Sequence, residues 1–175
     1  MTQVTIRIVP AAILAAVTLT LAACGTREAA TTAPLEIAAG TSCSLDGMLL
    51  ADYPGPKAQI HYAGQDAPDF FCDTVEMFNV YLQPEQIREV RAVFVQDMSK
   101  AAWEQPRGHW IDARAAFFVI GSRQHGSMGP TVASFATEAD ARTFAAAHGG
   151  DVLPFAGVTA EKVRLDGGAL HDGLM

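Results

Sequence analysis

Cationic side chains are scarce in this sequence of 175 residues, which has 12 lysines and arginines against 19 aspartates and glutamates. The formal net charge of −7 argues against a nucleic-acid partner, because binding to phosphates needs clustered cations. It also argues against a polybasic contact with a membrane surface. The function should therefore be one that does not depend on a basic surface.

Cysteine is also scarce, and short catalytic motifs are missing. The sequence has three cysteines and no C-x-x-C pair, so thioredoxin-like chemistry has no support. It lacks an H-E-x-x-H motif, a nucleophile elbow and a phosphate-binding glycine loop. Carboxylates are present, but no spacing orients two of them at one substrate. An enzyme interpretation therefore lacks a named base and nucleophile.

The first 23 residues have the character of a bacterial signal peptide. Arg7 is the only charged residue among them, and a stretch rich in alanine, leucine, valine and isoleucine follows it. The stretch ends in L-A-A-C at Cys24, the lipobox pattern in which the cysteine is acylated and becomes the mature N-terminus. The alternative is an ordinary secreted protein with a cysteine near its cleavage site. Processing would change the net charge from −7 to −8 and leave the lipid as the anchor.

The remaining chain predicts an α+β fold made of two tandem ββαβ domains. A segment with three aromatic or proline residues, Trp103, Pro106 and Trp110, joins them and is too long and aromatic for a passive linker. The predicted divisions are a signal peptide over 1–23, the lipidated cysteine and a flexible tether over 24–40, the first domain over 41–97, the connector over 98–113, the second domain over 114–160 and a disordered tail over 161–175.

In the first domain, residues 57–63 alternate in the manner of a strand. Asp73 and Glu76 have the spacing of a capping box, which predicts a helix that starts at Asp73 and ends by Pro84. Residues 90–95 then predict a buried strand.

The second domain repeats this order of elements. Thr137 and Asp140 predict a helix start, and Gly149-Gly150 predicts its end. The predicted strands of this domain cover 115–121, 131–136 and a short run beginning at Asp151.

Two thiols remain when Cys24 is lipidated. An oxidising cell envelope would permit a disulfide between Cys43 and Cys72. Cys72 lies at the start of the predicted helix, where the thiolate form is favoured. Cys72 is therefore a candidate metal ligand, a candidate disulfide partner of Cys43, or a small buried residue.

Two methionines and two histidines extend the set of candidate ligands. Met48 and Met128 lie at equivalent places in the two halves, each ahead of a Gly-Pro pair. Their thioethers converge if the halves face each other; otherwise each fills its own small core. His61 on the first strand and His125 near Met128 are candidate nitrogen ligands. Thiolate, thioether and imidazole together select Cu(I) among metals.

Seven short segments follow one another in a specific order along the mature chain. They are C-S-L-D-G-M from Cys43, D-Y-P-G-P-K-A-Q from Asp52, F-C-D-T around Cys72, V-Q-D-M from Val95 with the tryptophan and proline that follow, W-I-D-A from Trp110, G-S-M-G-P around Met128 and A-H-G-G-D-V-L-P-F from Ala147. In this order they resemble the NosL family, bacterial lipoproteins that accompany nitrous oxide reductase.

The resemblance implies a fold similar to part of organomercurial lyase, and Cu(I) binding by a periplasmic, lipid-anchored copper chaperone. The implied partners are nitrous oxide reductase and its copper-delivery or ABC-transporter assembly machinery, with no nucleic acid. The catalytic cysteine pattern of the lyase is not evident, so no enzymatic activity is carried over. The alternatives are a metal-free assembly lipoprotein with a Cys43–Cys72 disulfide and a thiol-dependent, lyase-like enzyme.

One position departs from the family pattern. Many family members read C-x-x-C-G-M at the opening segment, where this sequence has Asp46 in place of the second cysteine. Either that cysteine is dispensable, or ligation passes to Cys72, a histidine or Asp46 itself. We therefore predict an exposed Cu(I) site with candidate ligands Cys43, Met48, Met128, Cys72, His61 and His125.

Overall fold

The structure is a computed structural model that describes residues 32–164. Cys24, the predicted signal peptide and residues 165–175 of the predicted tail lie outside the described residues. Within 32–164, neither α-helix has the length and apolar character needed to cross a membrane. The bounds are β1 Ala58–Tyr62, β2 Asp69–Phe71, α1 Thr74–Tyr81, β3 Val90–Gln96, β4 Trp110–Asp112, β5 Phe117–Ile120, β6 His125–Gly126, β7 Gly129–Pro130, β8 Ala133–Phe135, α2 Glu138–His148 and β9 Asp151–Pro154.

The first half forms a four-stranded antiparallel sheet in the order β2-β1-β3-β4. The sequence pattern predicted β1, α1 and β3, and all three are present. It missed β2 and β4, which are three residues long and are defined by their pairing with β1 and β3. All five residues of β1 are buried, as expected for a central strand covered on both faces.

The second half forms a three-stranded antiparallel sheet in the order β8-β5-β9. In both halves the first strand is central, the second strand and the strand after the helix flank it, and the element order is ββαβ. The second half also contains a small hairpin, β6–β7, between its first two sheet strands. The mixed helix-and-sheet class is confirmed, whereas the division into two tandem domains remains a prediction.

The two halves share one hydrophobic core. Phe78 of α1 packs edge-on against Phe118 of β5, with ring centroids 5.0 Å apart, and also contacts Phe155 after β9. Val132 and Val158 of the second half are buried in the same cluster as the strands of the first. Apolar burial across this contact therefore stabilises both halves.

The connector contacts both halves. Trp103 stacks on Phe144 of α2 with ring centroids 5.5 Å apart, and its carbonyl accepts a hydrogen bond of 2.8 Å from the Gly55 amide of the first half. At its end, β4 joins the first sheet, and Trp110 packs beside the cysteines described below.

The ordered chain extends beyond the predicted domain limits at both ends. Gln59 of β1 bonds both the amide and the carbonyl of Leu35, at 2.9 Å each, and Ile37 is buried. These contacts fix part of the segment that the sequence analysis assigned to a flexible tether. Val163, assigned to the tail, lies buried in the shared core, and its carbonyl accepts a hydrogen bond from Asn79.

The β6–β7 hairpin of the second half packs against the start of α1. Asp73, the N-cap of α1, accepts hydrogen bonds from the Val75 amide at 2.9 Å and from the Thr131 hydroxyl at 2.6 Å. Gly126 lies so close that a β-carbon there would overlap the Asp73 carboxylate and would lie 2.9 Å from the Thr131 β-carbon. On its other side, a β-carbon on Gly55 would lie 2.8 Å from the Gly126 α-carbon.

We predict that Gly126→Ala destabilises the protein by about 1–3 kcal/mol, because the added methyl group separates the hairpin from α1. The measurement is urea denaturation followed by circular dichroism. Gly40→Ala is the control, since a β-carbon at Gly40 has open space around it. Equal stability of the two variants would contradict this packing.

Candidate metal centre

A tight turn from Cys43 to Met48 covers the start of α1. The Cys43 amide bonds the Met48 carbonyl at 2.8 Å, and the Gly47 amide bonds the Cys43 carbonyl at 2.9 Å. Gly47 has a positive φ of 80°, a conformation that glycine adopts without steric cost. The Met48 amide donates a hydrogen bond of 2.9 Å to the Asp46 carboxylate. These bonds leave the Cys43 side chain pointing inward, where it is only 3% exposed.

The start of α1 supplies the other side of the site. Cys72 directly precedes the N-cap Asp73, and the predicted capping box is formed in full. The Glu76 side chain turns back over the helix start to accept a hydrogen bond of 3.2 Å from the Asp73 amide. This return places the Glu76 carboxylate beside both thiols. Its Oε2 lies 3.2 Å from Cys43 Sγ and 3.3 Å from Cys72 Sγ.

Four side chains therefore converge on one point. One ligand atom from each of Cys43, Asp46, Cys72 and Glu76 lies within 4.8 Å of the others, and this is the sole such group among the described residues. Cys72 and Glu76 are fully buried, whereas Asp46 is exposed. Both thiols are free in the structure. Contrary to the predicted exposed site, the sulfurs lie under the turn, because the turn folds Cys43 against the helix.

Hydrogen bonding shifts the pKa values of the two thiols in opposite directions. A hydrogen bond from the Cys72 side chain lowers the pKa of Cys43 to about 6, against the opposing effect of burial. The Leu45 amide, 3.4 Å from Cys43 Sγ, favours the same thiolate. The bond to Cys43 and burial raise the pKa of Cys72. Hydrogen bonding thus favours the thiolate form at Cys43 over the thiolate form at Cys72.

Burial acts on the two acidic residues of the helix start. It raises the pKa of Glu76 to about 8, and the hydrogen bond to Cys43 adds to the shift. It also raises the pKa of Asp73 to about 6, although the bonds from Thr131 and Val75 oppose this. At neutral pH, Glu76 therefore mainly retains its proton, and the site does not place a second full anion beside the Cys43 thiolate.

A buried lysine contacts the backbone of the site at Cys72. Lys57 is 1% exposed, and its ammonium donates to the carbonyls of Pro54 and Cys72, at 2.9 Å each. The described residues contain three ion pairs, and Lys57 takes part in none of them. Burial lowers its pKa, opposed by the nearby negative groups, of which Asp73 acts most strongly.

The two predicted methionine ligands lie in different surroundings. Met48 is half-buried and packs against the cluster that contains both cysteines. Met128 is 50% exposed in the β6–β7 turn. Its neighbour Ser127 has a buried hydroxyl that makes no hydrogen bond of ordinary geometry, but adjoins Cys72 and favours its thiolate. The second-half turn thus reaches the site, while convergence of the two thioethers stays a prediction.

Neither predicted histidine joins the four-residue group. His61 Nε2 lies 2.8 Å from the Gln59 side-chain oxygen, and its ring packs edge-on against Phe94. Burial lowers the pKa of His61. His125 is exposed in β6, where its carbonyl accepts a hydrogen bond from the Trp103 indole at 3.0 Å. Their roles as ligands remain predictions without support from this geometry.

The sequence analysis identified Glu76 only as a capping residue. The signal that could have revealed more is the spacing itself, because a capping-box side chain folds back towards the residue before the N-cap, and that residue is Cys72. Lys57 gave no such signal, since its burial depends on how β1 packs.

We predict that Cys72→Ala raises the pKa of Cys43 from about 6 towards the ordinary thiol value, because the strongest stabilising hydrogen bond is lost. The measurement is the pH dependence of thiolate absorbance in reduced, metal-free protein. Cys72→Ser keeps a hydroxyl donor, so its shift should be smaller. An ionisation step near pH 6 that survives in Cys72→Ala would contradict this assignment.

Comparison with known proteins places the chain in a family. The NosL family model matches residues 34–163. The chain is 36% identical over 159 residues to the copper-binding lipoprotein NosL of Stutzerimonas stutzeri, covering 87% of this chain and 83% of that protein. It is 37% identical over 151 residues to the protein of the same name from Achromobacter cycloclastes, covering 84% and 78%.

A solved structure agrees with this placement. The crystal structure of the copper chaperone NosL from Shewanella denitrificans matches with a TM-score of 0.71 at 37% identity, over 75% of this chain and 98% of that chain. The resemblance seen in the ordered segments is confirmed, and the chain belongs to the NosL family.

Proposed function

We propose that this protein binds copper as Cu(I) and passes it on, and that it is not an enzyme. The observation that carries the proposal is the convergence of Cys43 and Cys72 beneath the turn, with Met48 packed beside them. The names of the relatives, copper-binding lipoprotein and copper chaperone, support it.

The donor set favours a soft ion. Two thiols and an adjacent thioether suit Cu(I), and Cys43 is already poised as a thiolate. We assign Cys43 and Cys72 as the principal ligands and Met48 as the third candidate. Cys72 then takes the place of the family's second cysteine, whose position Asp46 occupies. Glu76 holds or releases a proton beside the thiols as they bind the ion.

The turn from Cys43 to Met48, which lies over the site, suggests how copper leaves. Residues 44–47 are exposed, and one backbone hydrogen bond of 2.7 Å, from the Ser44 amide to the Phe70 carbonyl, connects the turn to β2. Opening the turn would move Cys43 and Met48 towards solvent while Cys72 stays on the helix. A partner thiol or thioether could then exchange with Cys43.

The setting of this transfer is also part of the proposal. The L-A-A-C sequence at Cys24 would hold the protein on a bacterial membrane by its lipid, in the periplasm. The recipient would be nitrous oxide reductase or its copper-delivery and ABC-transporter assembly machinery. The family resemblance supports these partners.

We expect reduced protein to bind about one equivalent of Cu(I) in anaerobic competition with a colorimetric chelator. Cys43→Ser and Cys72→Ser should each weaken binding by at least about tenfold, because each removes a soft ligand. Met48→Leu should weaken it less, and Met77→Leu, at a buried helix position outside the site, is the matched control. Failure of the wild-type protein to retain Cu(I) would overturn the proposal.

The variant Glu76→Gln tests the role of the Glu76 carboxylate. Glu76→Gln keeps the capping box, since glutamine serves at that position, but removes the ionisable group. We expect unfolding stability close to that of the wild type and Cu(I) binding that depends less on pH between about 6 and 9. A large loss of stability with unchanged pH dependence would assign Glu76 a purely structural role.

A further inference from the structure

The four-residue group raises a question of metal selectivity. Two cysteines with two carboxylates also make an acceptable tetrahedral site for Zn(II), which binds sulfur and carboxylate oxygen alike. The ligand types alone therefore do not exclude a divalent ion. Something else in the site must disfavour it if the protein is to hold Cu(I).

Lys57 supplies such a feature. Its ammonium donates a hydrogen bond of 2.9 Å to the backbone carbonyl of Cys72, whose side chain is a candidate ligand. A second bond of 2.9 Å to the Pro54 carbonyl fixes its direction. The side chain is buried, so water does little to screen the charge.

A buried ammonium without a carboxylate in contact is uncommon, because its desolvation is costly. Negative charge in the site and its cap offsets this cost, and the Asp73 carboxylate acts most strongly. That carboxylate bonds instead to Thr131 and Val75. Lys57 therefore lies in contact with Cys72 and takes part in no ion pair among the described residues.

We propose that Lys57 is a specificity-determining residue that makes the site discriminate against divalent metal ions. The inference rests on the proposed copper binding. With the same ligands, a Zn(II) complex carries one positive charge more than a Cu(I) complex. The Lys57 ammonium repels that additional charge, and this difference does not depend on which protons the ligands carry before a metal ion binds.

The prediction is a change in the ratio of two affinities. In Lys57→Gln and Lys57→Met, the preference for Cu(I) over Zn(II) should fall by about tenfold or more, because one unit of charge repulsion is removed. Lys57→Gln keeps an N–H donor for one of the two carbonyls. The measurements are anaerobic Cu(I) competition and Zn(II) competition on the full chain, with circular dichroism and thermal unfolding to verify the fold.

Lys100→Met is the control, because it removes the same charge from a side chain that is 61% exposed. Its ratio should match the wild type. A ratio that is unchanged in folded Lys57→Gln would overturn the inference, and so would a parallel loss of both affinities, which a structural role predicts. Absence of Cu(I) binding by the wild-type protein would instead refute the proposed function.

Discussion

The buried carboxylate of Asp73 holds together the parts of the molecule that meet at the metal centre. Its bond to the Val75 amide begins α1, its bond to Thr131 attaches the second half, and Gly126 fits against it without space for a side chain. Helix capping and attachment of the second half thus depend on one side chain. The backbone amide of Asp73 donates a hydrogen bond to the Glu76 carboxylate and so holds that carboxylate over the helix start.

The consequence for the site is electrostatic. Folding brings the sulfurs of Cys43 and Cys72 and the carboxyl group of Glu76 into a region that water barely reaches. Full ionisation of all three groups would cost on the order of several kcal/mol, because three negative charges would lie close together away from water. The groups therefore share protons, and the pKa values of the two cysteines shift in opposite directions. A bound cation can replace such a proton, and this makes the group suited to a metal ion.

The sequence predicted elements whose signals are local. The capping box of Asp73 and Glu76 and the end of α2 at Gly149 are set by nearby residues, and the structure contains both. Strand β2 has three residues and is defined by its partner β1, so no periodic pattern reveals it. The same holds for the site: Cys43 and Cys72 stood out as soft ligands, but Lys57 enters through tertiary packing alone.

The two cysteines belong to elements of different rigidity, and this difference matters for copper transfer. Cys72 is held at the start of a capped helix, whereas Cys43 is held by a turn with an exposed face. A metal held between them would be released by moving Cys43, because moving Cys72 would disrupt the helix start and the attachment of the second half. The closed site and a function in transfer are therefore compatible: the helix start fixes one ligand while the surface turn carries the other.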